Sequence, residues 1–264
     1  VKYYNHFTTF SDIYNSDISQ KKHGAFHYLD FQANKNLTFS LFEGIIWQSS
    51  DENYERGFDV HYLNPIIFYR PVEFSKHSPD NALIGLNVKY QWNKINLYGQ
   101  LLIDDLNINR YENTGDGFFQ NKLAYQLGLK SEFNFKEHDF RFLTEYNQAQ
   151  PYTYAHKHPM QNYTHMNQAL AHPLGANFKE NIILLNYGYK RWATNLKYTY
   201  AIYGSDSSGT HYGQNIFISD FQASGEGGEF SYGNYNGQGI KTLLQIIKYE
   251  HEWFNKKQKG LNQY

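Results

Sequence analysis

Strand-length runs of alternating apolar and polar residues recur along this chain, joined in succession by tight turns and by long polar connections. Ile84, Leu86, Val88 and Tyr90 alternate with Gly85, Asn87, Lys89 and Gln91, and Leu123, Tyr125, Leu127 and Leu129 with Ala124, Gln126, Gly128 and Lys130. Phe140, Phe142 and Tyr146 likewise oppose Arg141, Glu145 and Asn147. A period of two sorts side chains onto opposite faces of an extended strand, so each run has one apolar and one polar face. Residues 25–33 and 37–47 flank Asn34, Lys35 and Asn36, and residues 83–91 and 95–103 flank Trp92, Asn93 and Lys94; both pairs read as hairpins. The unit returns as 123–133 with 140–147, as 182–189 with 192–203, and as 242–253 followed by a Lys-rich turn near Lys257, where a further strand has barely begun at Leu261. Between the hairpins lie the polar segments 48–81, 104–121, 148–179 and 204–239.

A tilted membrane strand needs about 9 to 11 residues, and outer-membrane barrels place short turns on one side and long loops on the other. The pattern therefore predicts one all-β domain over residues 1–264, an antiparallel transmembrane β-barrel whose long loops are ordered and extracellular. A soluble sandwich or propeller shares the alternation but does not sort its connections into short and long sets. About ten spans are expected. The first hairpin is less regular: Phe26, Tyr28 and Asp30 interleave with His27, Leu29 and Phe31, which also suits extracellular β structure. Residues 60–69 and 216–221 are further strand candidates. No clear strand opens the chain and the last one is barely begun, so the expectation is part of a larger barrel, completed by flanking sequence or by another chain.

Composition fits. A mean hydropathy of -0.71 would argue against helical spans, yet barrel strands average out as polar because half of their residues face a wet lumen. No run approaches the roughly 18 apolar residues of a transmembrane helix. Aromatic residues form 19% of the chain, and Trp92, Trp192 and Trp253 all fall beside short turns, where they would form an interfacial girdle. The formal charge of -1 supplies no field to attract nucleic acid. The absence of cysteine removes disulfides, thiolate nucleophiles and Cys-type zinc sites.

Two connections carry dense blocks. The first runs His61-Tyr62-Leu63-Asn64-Pro65, then Phe68-Tyr69-Arg70-Pro71-Val72-Glu73, then Ser78-Pro79-Asp80-Asn81. The second runs Gln150-Pro151-Tyr152-Thr153-Tyr154-Ala155-His156, then Asn162-Tyr163-Thr164-His165, then Leu170-Ala171-His172-Pro173-Leu174-Gly175-Ala176-Asn177-Phe178. With Gly237-Gln238-Gly239-Ile240-Lys241-Thr242, these blocks resemble a family of outer-membrane barrels from Bacteroidetes, known as Wzi-like capsule-assembly proteins and as the gliding-motility protein RemB. The resemblance covers most of 57–242 and is most specific at 170–178. It implies an outer-membrane location, a large antiparallel barrel and a cell-surface role in polysaccharide handling or motility, and it carries over no catalytic residues.

Pro65, Pro71 and Pro79 fix φ and remove backbone donors, so the first block is expected to be ordered, either folded into the lumen as a constriction or serving as a rigid lid. Arg70 and Glu73 are a candidate lumen ion pair. Tyr152, Tyr154, Tyr163 and Phe178, mixed with Asn162, Asn167, Gln168 and Asn177, are of the type that stacks on sugar rings and hydrogen-bonds hydroxyls; girdle and loop packing is the competing use. His156, His158, His165 and His172 lack any metal-binding spacing, and packing within the loop is the expected role, with no metal or cofactor. The Gly-rich run 225–233 has no following helical pattern and reads as a surface loop, not a phosphate-binding one. No motif pairs a nucleophile with a base. The expectation is a non-enzymatic outer-membrane surface protein engaging extracellular polysaccharide or partners in capsule assembly, adhesion or gliding motility. The alternatives are a translocation pore, or a barrel subunit whose loops dock a lipoprotein or a secretion or motility complex.

Overall fold

Period-two alternation becomes a sheet only when registers align the apolar sets of neighbouring strands. The computed structural model describes residues 1–13, 18–50, 55–69, 80–105, 122–222 and 239–254. The strands are β1 (Lys2–Ile13), β2 (Ser19–Gln32), β3 (Leu37–Gln48), β4 (Asn81–Trp92), β5 (Ile95–Asp105), β6 (Lys122–Phe135), β7 (His138–Ala149), β8 (Thr164–His165), β9 (Gln168–Ala169), β10 (Phe178–Tyr189), β11 (Trp192–Ser205) and β12 (Ile240–Trp253). Apart from the small β8–β9 hairpin, they form one sheet of 10 strands in the order β1-β2-β3-β4-β5-β6-β7-β10-β11-β12. Every pairing is antiparallel. Among the described residues β1 and β12 form the two edges. No helix among them is long and apolar enough to cross a membrane.

Leu41 of β3 stands opposite Leu86 of β4, Leu86 opposite Leu101 of β5, and Leu97 of β5 opposite Leu129 of β6. This aligns one continuous apolar face on which Leu86, Leu97, Leu127, Ile183, Leu185 and Ile247 are exposed, termed the outward face to distinguish it from the inner one crossed by the long connection after β7. Toward the tight turns the same face ends in aromatics. Tyr90, Trp92, Phe133, Phe135, Trp192 and Trp253 are all exposed there, and Trp192 pairs with Trp253 across β11 and β12. The opposite, inner face carries Lys89, Asn87, Gln100, Gln126, Glu145 and Arg141, as alternation requires. The turns fall where the sequence places them. Asn93, Lys136 and Lys190 each take the left-handed conformation a tight hairpin demands, and Asn34 Oδ1 accepts from the amides of Asn36 and Leu37. The Lys257 turn, Leu261 and the Gly-rich run 225–233 lie outside the described residues.

Two strand expectations are corrected. The chain does open with a strand. β1 lacks a legible pattern because Tyr3, Asn5, Phe7 and Thr9 on one face and Tyr4, His6, Thr8 and Phe10 on the other are equally mixed. The first hairpin stands as read, β2 and β3 pairing in continuous register from Lys22↔Gln48 to Gln32↔Thr38. Residues 60–69 and 216–221 are not strands; they hold the 3-10 turns Val60–Leu63 and the start of Asp220–Gln222, with bends and turns between.

A further correction concerns the first proline block, whose described part packs on the face of β1–β3 that carries Ala25, Glu43 and Trp47, opposite the polar face on which Asn87, Gln100 and Gln126 stand. Tyr62 lies against Trp47, ring centroids 4.6 Å apart, in a cluster with Ala25 and Ile45. Arg56 fastens the segment, with Nη1 2.8 Å from Asp80 Oδ2 and Nη2 2.7 Å from Asp59 Oδ2. The cause is chemical: at this end β2 and β3 turn His23, His27 and Glu43 outward, and these polar groups need a cover.

Candidate functional site

The connection between β7 and β10 folds back over the inner face. Its path begins with two left-handed residues, Tyr152 (φ 64) and Tyr154 (φ 75), a conformation costing roughly 1–3 kcal/mol each and so requiring support. Support comes from Asp104 at the end of β5, which accepts the Tyr154 amide at 2.6 Å, and from Gly213, whose carbonyl accepts the Tyr152 amide at 2.9 Å. Any side chain at Gly213 would meet the Tyr152 nitrogen at 2.4 Å.

Two fully buried lysines then pin the connection. Lys122 Nζ lies 2.8 Å from Asp220 Oδ2 and donates to the Ala155 carbonyl. Lys22 Nζ lies 2.6 Å from Asp12 Oδ2 and donates to the Asn162 carbonyl and Thr164 Oγ1. The β8–β9 hairpin continues to the edge of β1, where the Ser11 amide donates to His165 Nδ1 and the Ile13 amide to Asn167 Oδ1. The connection thus crosses the inner face from β7 to β1.

Beneath it lies a cavity of ≈ 370 Å³, within the size range of small-molecule sites. Its aromatic wall comprises Tyr154, Tyr163 and Phe178 from the second block and Phe26 and Phe42 from the sheet. The Tyr154 and Tyr163 rings are 6.1 Å apart with planes inclined by 30°, and Phe26 meets Tyr163 edge-on at 6.3 Å. Facing them is a row of amides that register brings together from consecutive strands. Gln100 Nε2 donates to Asn87 Oδ1 at 2.8 Å; Gln126, the cross-strand partner of Gln100, donates to Asn147 Oδ1 at 3.0 Å. Asn147 Nδ2 in turn donates to Glu180 Oε2, which lies 3.0 Å from His172 Nε2, and the His172 ring stacks on Phe178 at 4.2 Å.

Burial raises the Tyr154 phenol well above its ordinary value, aided by the charge of Asp104 and the neighbouring Tyr163, and burial alone raises Tyr163. Both therefore stay neutral hydroxyls at any physiological pH. The arrangement offers apolar ring faces on one side and neutral donors and acceptors on the other.

Of the residues the sequence singled out, Tyr154, Tyr163 and Phe178 meet at this cavity. Tyr152, Asn177 and Asn167 do not line it. Tyr152 is fully buried and donates to the His211 carbonyl; Asn177 is fully buried and donates to the carbonyls of Gly204 and Tyr212; Asn167 caps β1. Each braces the fold, because a long connection laid over a sheet must satisfy its own backbone groups. Arg70 and Glu73 lie outside the described residues. His158 Nδ1 accepts the Met160 amide and His172 Nδ1 the Leu174 amide, so these imidazoles order the connection. The alternation places Asn87, Gln126 and Asn147 on polar strand faces without linking them to a site, and nothing in it marks Phe26, Phe42, Gln100 or His172 as lining. The available signal was a same-face amide in each of several successive strands, but only register shows that they adjoin.

No known family profile matches the chain, and no curated protein matches it. Among solved structures, the chain is similar to Wzi of Escherichia coli, an outer-membrane protein involved in group 1 capsule assembly and described as a carbohydrate-binding β-barrel. The identity is 13% and the TM-score 0.45, over 88% of this chain and 48% of that one. The chain thus spans about half the length of that protein.

Proposed function

We propose that this chain is the wall of a bacterial outer-membrane β-barrel, its tight turns in the periplasm and its long connections outside the cell, and that the cavity under the β7–β10 connection binds an extracellular polysaccharide. The observation that carries the reading is the opposition of the Tyr154, Tyr163 and Phe178 rings to the amides of Asn87, Gln100, Gln126 and Asn147. A sugar ring presents apolar C–H faces and an equatorial belt of hydroxyls, and such a slot matches both. The membrane assignment is supported by the uncovered outward face, since water-soluble proteins rarely leave contiguous apolar patches beyond a few hundred Å². The sequence resemblance over 57–242 extends the reading to a non-enzymatic role in capsule assembly, adhesion or gliding motility in a Bacteroidetes cell, where a surface lipoprotein or motility complex is a natural partner.

The test is binding of the full chain, in detergent micelles, to an array of bacterial capsular oligosaccharides, with Tyr163→Ala as the paired control. Binding by the parent chain and its loss in the variant is the expected result. Failure of the parent chain to retain any glycan would remove the reading. A pore is the second reading, favoured by the charged inner surface toward the tight turns, where Lys130, Glu132 and Arg141 line a further cavity. Conductance in planar bilayers that rises on deletion of residues 152–172 would favour it.

A further inference from the structure

On β4–β7 and β10–β12 the outward side chains form an apolar face, but on β1–β3 the face is interrupted by Asn5, His23, His27 and Glu43. Glu43 is level with Ile84, its partner on β4, and Ile84 with Ile103 on β5, so the polar group sits within the height of the apolar band. The strap 58–69 covers it. The Phe68 amide donates to Glu43 Oε2 at 2.7 Å, and the hydroxyl of Tyr3, which also meets His27 Nδ1, donates to the Pro65 carbonyl at 2.6 Å.

Apart from His61, which pairs with Asp59, the strap's own outer surface is predominantly apolar. Its sequence from Val60 to Tyr69 contains no Asp, Glu, Lys or Arg, and Val60, Leu63, Ile66, Phe68 and Tyr69 are all exposed. A cover facing water needs no such surface. Five of its backbone amides have acceptors within the protein: those of His61, Tyr62, Ile66, Phe68 and Tyr69 donate to Asp59 Oδ1, Asp59 O, Asn64 Oδ1, Glu43 Oε2 and Ile66 O, while Pro65 has no N–H. Irregular backbone exposed to lipid is excluded from the hydrocarbon interior, so such a strap belongs at its boundary. Phe68 accepts a left-handed φ of 64° to deliver its amide to Glu43.

We propose that the strap is a lipid-contacting element, lying at the headgroup–acyl boundary of the outer leaflet and replacing strand side chains as the membrane surface of β1–β3. The inference rests on the outer-membrane reading above. The patch adjoins the apolar face of β4, where Ala82 packs against the cluster that holds Tyr62, and its mixture of aliphatic and aromatic side chains suits that boundary.

The chain has no cysteine, so single sites can be spin-labelled directly. Ile66→Cys, with Leu97→Cys on the sheet face and Ser208→Cys in an outer connection, would be labelled in the full chain reconstituted into phosphatidylcholine vesicles. Collision with dissolved oxygen is compared with collision with a water-soluble nickel chelate. The expected oxygen-to-nickel ratio at Ile66 is severalfold above that at Ser208 and approaches that at Leu97. A water-like ratio at Ile66 with a lipid-like one at Leu97 overturns the strap proposal and leaves the barrel standing. Shielding from both reagents at Ile66 also overturns it, in favour of a protein partner. Water-like ratios at both Ile66 and Leu97 remove the membrane reading itself.

Discussion

Lys22 Nζ lies 2.6 Å from Asp12 Oδ2, and both side chains are almost wholly withdrawn from solvent. The pair joins β1 to β2 and, through the Asn162 carbonyl and Thr164 Oγ1, ties both to the connection that roofs the cavity. Removing one member of a buried pair strands the other charge, whereas removing both leaves none to desolvate. Lys22→Met should cost about 3 to 5 kcal/mol in equilibrium urea unfolding, with Asp12→Leu/Lys22→Met recovering most of it. Equal losses in the single and double variants would show that the pair does not hold the roof.

Lipid contact should divide the two faces of the sheet. Leu97 and Leu127 are exposed on the outward face, so Leu97→Arg or Leu127→Arg should lower stability in vesicles by about 2 to 4 kcal/mol. Asn87→Arg, on the inner face, should be tolerated. Similar losses at all three positions would indicate a sheet with two dry faces, as in a soluble sandwich.

The strap should loosen in acid. Burial raises the Asp59 pKa, but the His61 amide, the Arg56 guanidinium and the His61 side chain outweigh it and hold the carboxyl down from 3.8 to about 2. A group depressed in the folded state stabilises fully above its ordinary value and loses that contribution as pH falls through the folded one. Emission from Trp47, which stacks beneath Tyr62 and Arg56, should therefore change between about pH 4 and about pH 2. In Asp59→Asn the change should be absent, and its persistence there would assign it to another group.

In the cavity, single hydrogen-bonding groups should each contribute modestly. Gln126→Leu removes one neutral amide from the row while keeping its bulk, and about 1 kcal/mol per such bond corresponds to roughly fivefold weaker binding of an oligosaccharide. Titration calorimetry against a glycan retained by the parent chain measures this. An unchanged Kd would place the glycan elsewhere.

Much of the sheet was legible in the sequence because β4 to β7 and β10 to β12 obey a local rule. Ile84 to Tyr90 and Leu123 to Leu129 show one clean face each, and turns such as Asn93-Lys94 have little conformational choice. β1 escaped that reading. Its outward side chains face the strap and not a uniform apolar medium, so selection for one solvent left no alternation in Tyr3, Asn5, Phe7 and Thr9. Within the second block, residue type identified aromatics and amides without distinguishing Tyr154 and Tyr163, which line the cavity, from Tyr152 and Asn177, which brace the roof.

The sequence by itself determined the strands of the large sheet from β2 onward, the tight turns, the two faces and the location of an aromatic, polar-rich connection, because each depends on neighbours within a few residues. Only the tertiary structure decided that Asn87, Gln100, Gln126 and Asn147 form one row, that Lys22 and Lys122 pin the roof, and that the proline-bearing strap lies outside the sheet. Those relations depend on register and on where buried charge finds a partner. Asp12 and Lys22 reach Asn162 and Thr164 across more than 130 residues, a distance over which no local pattern carries information.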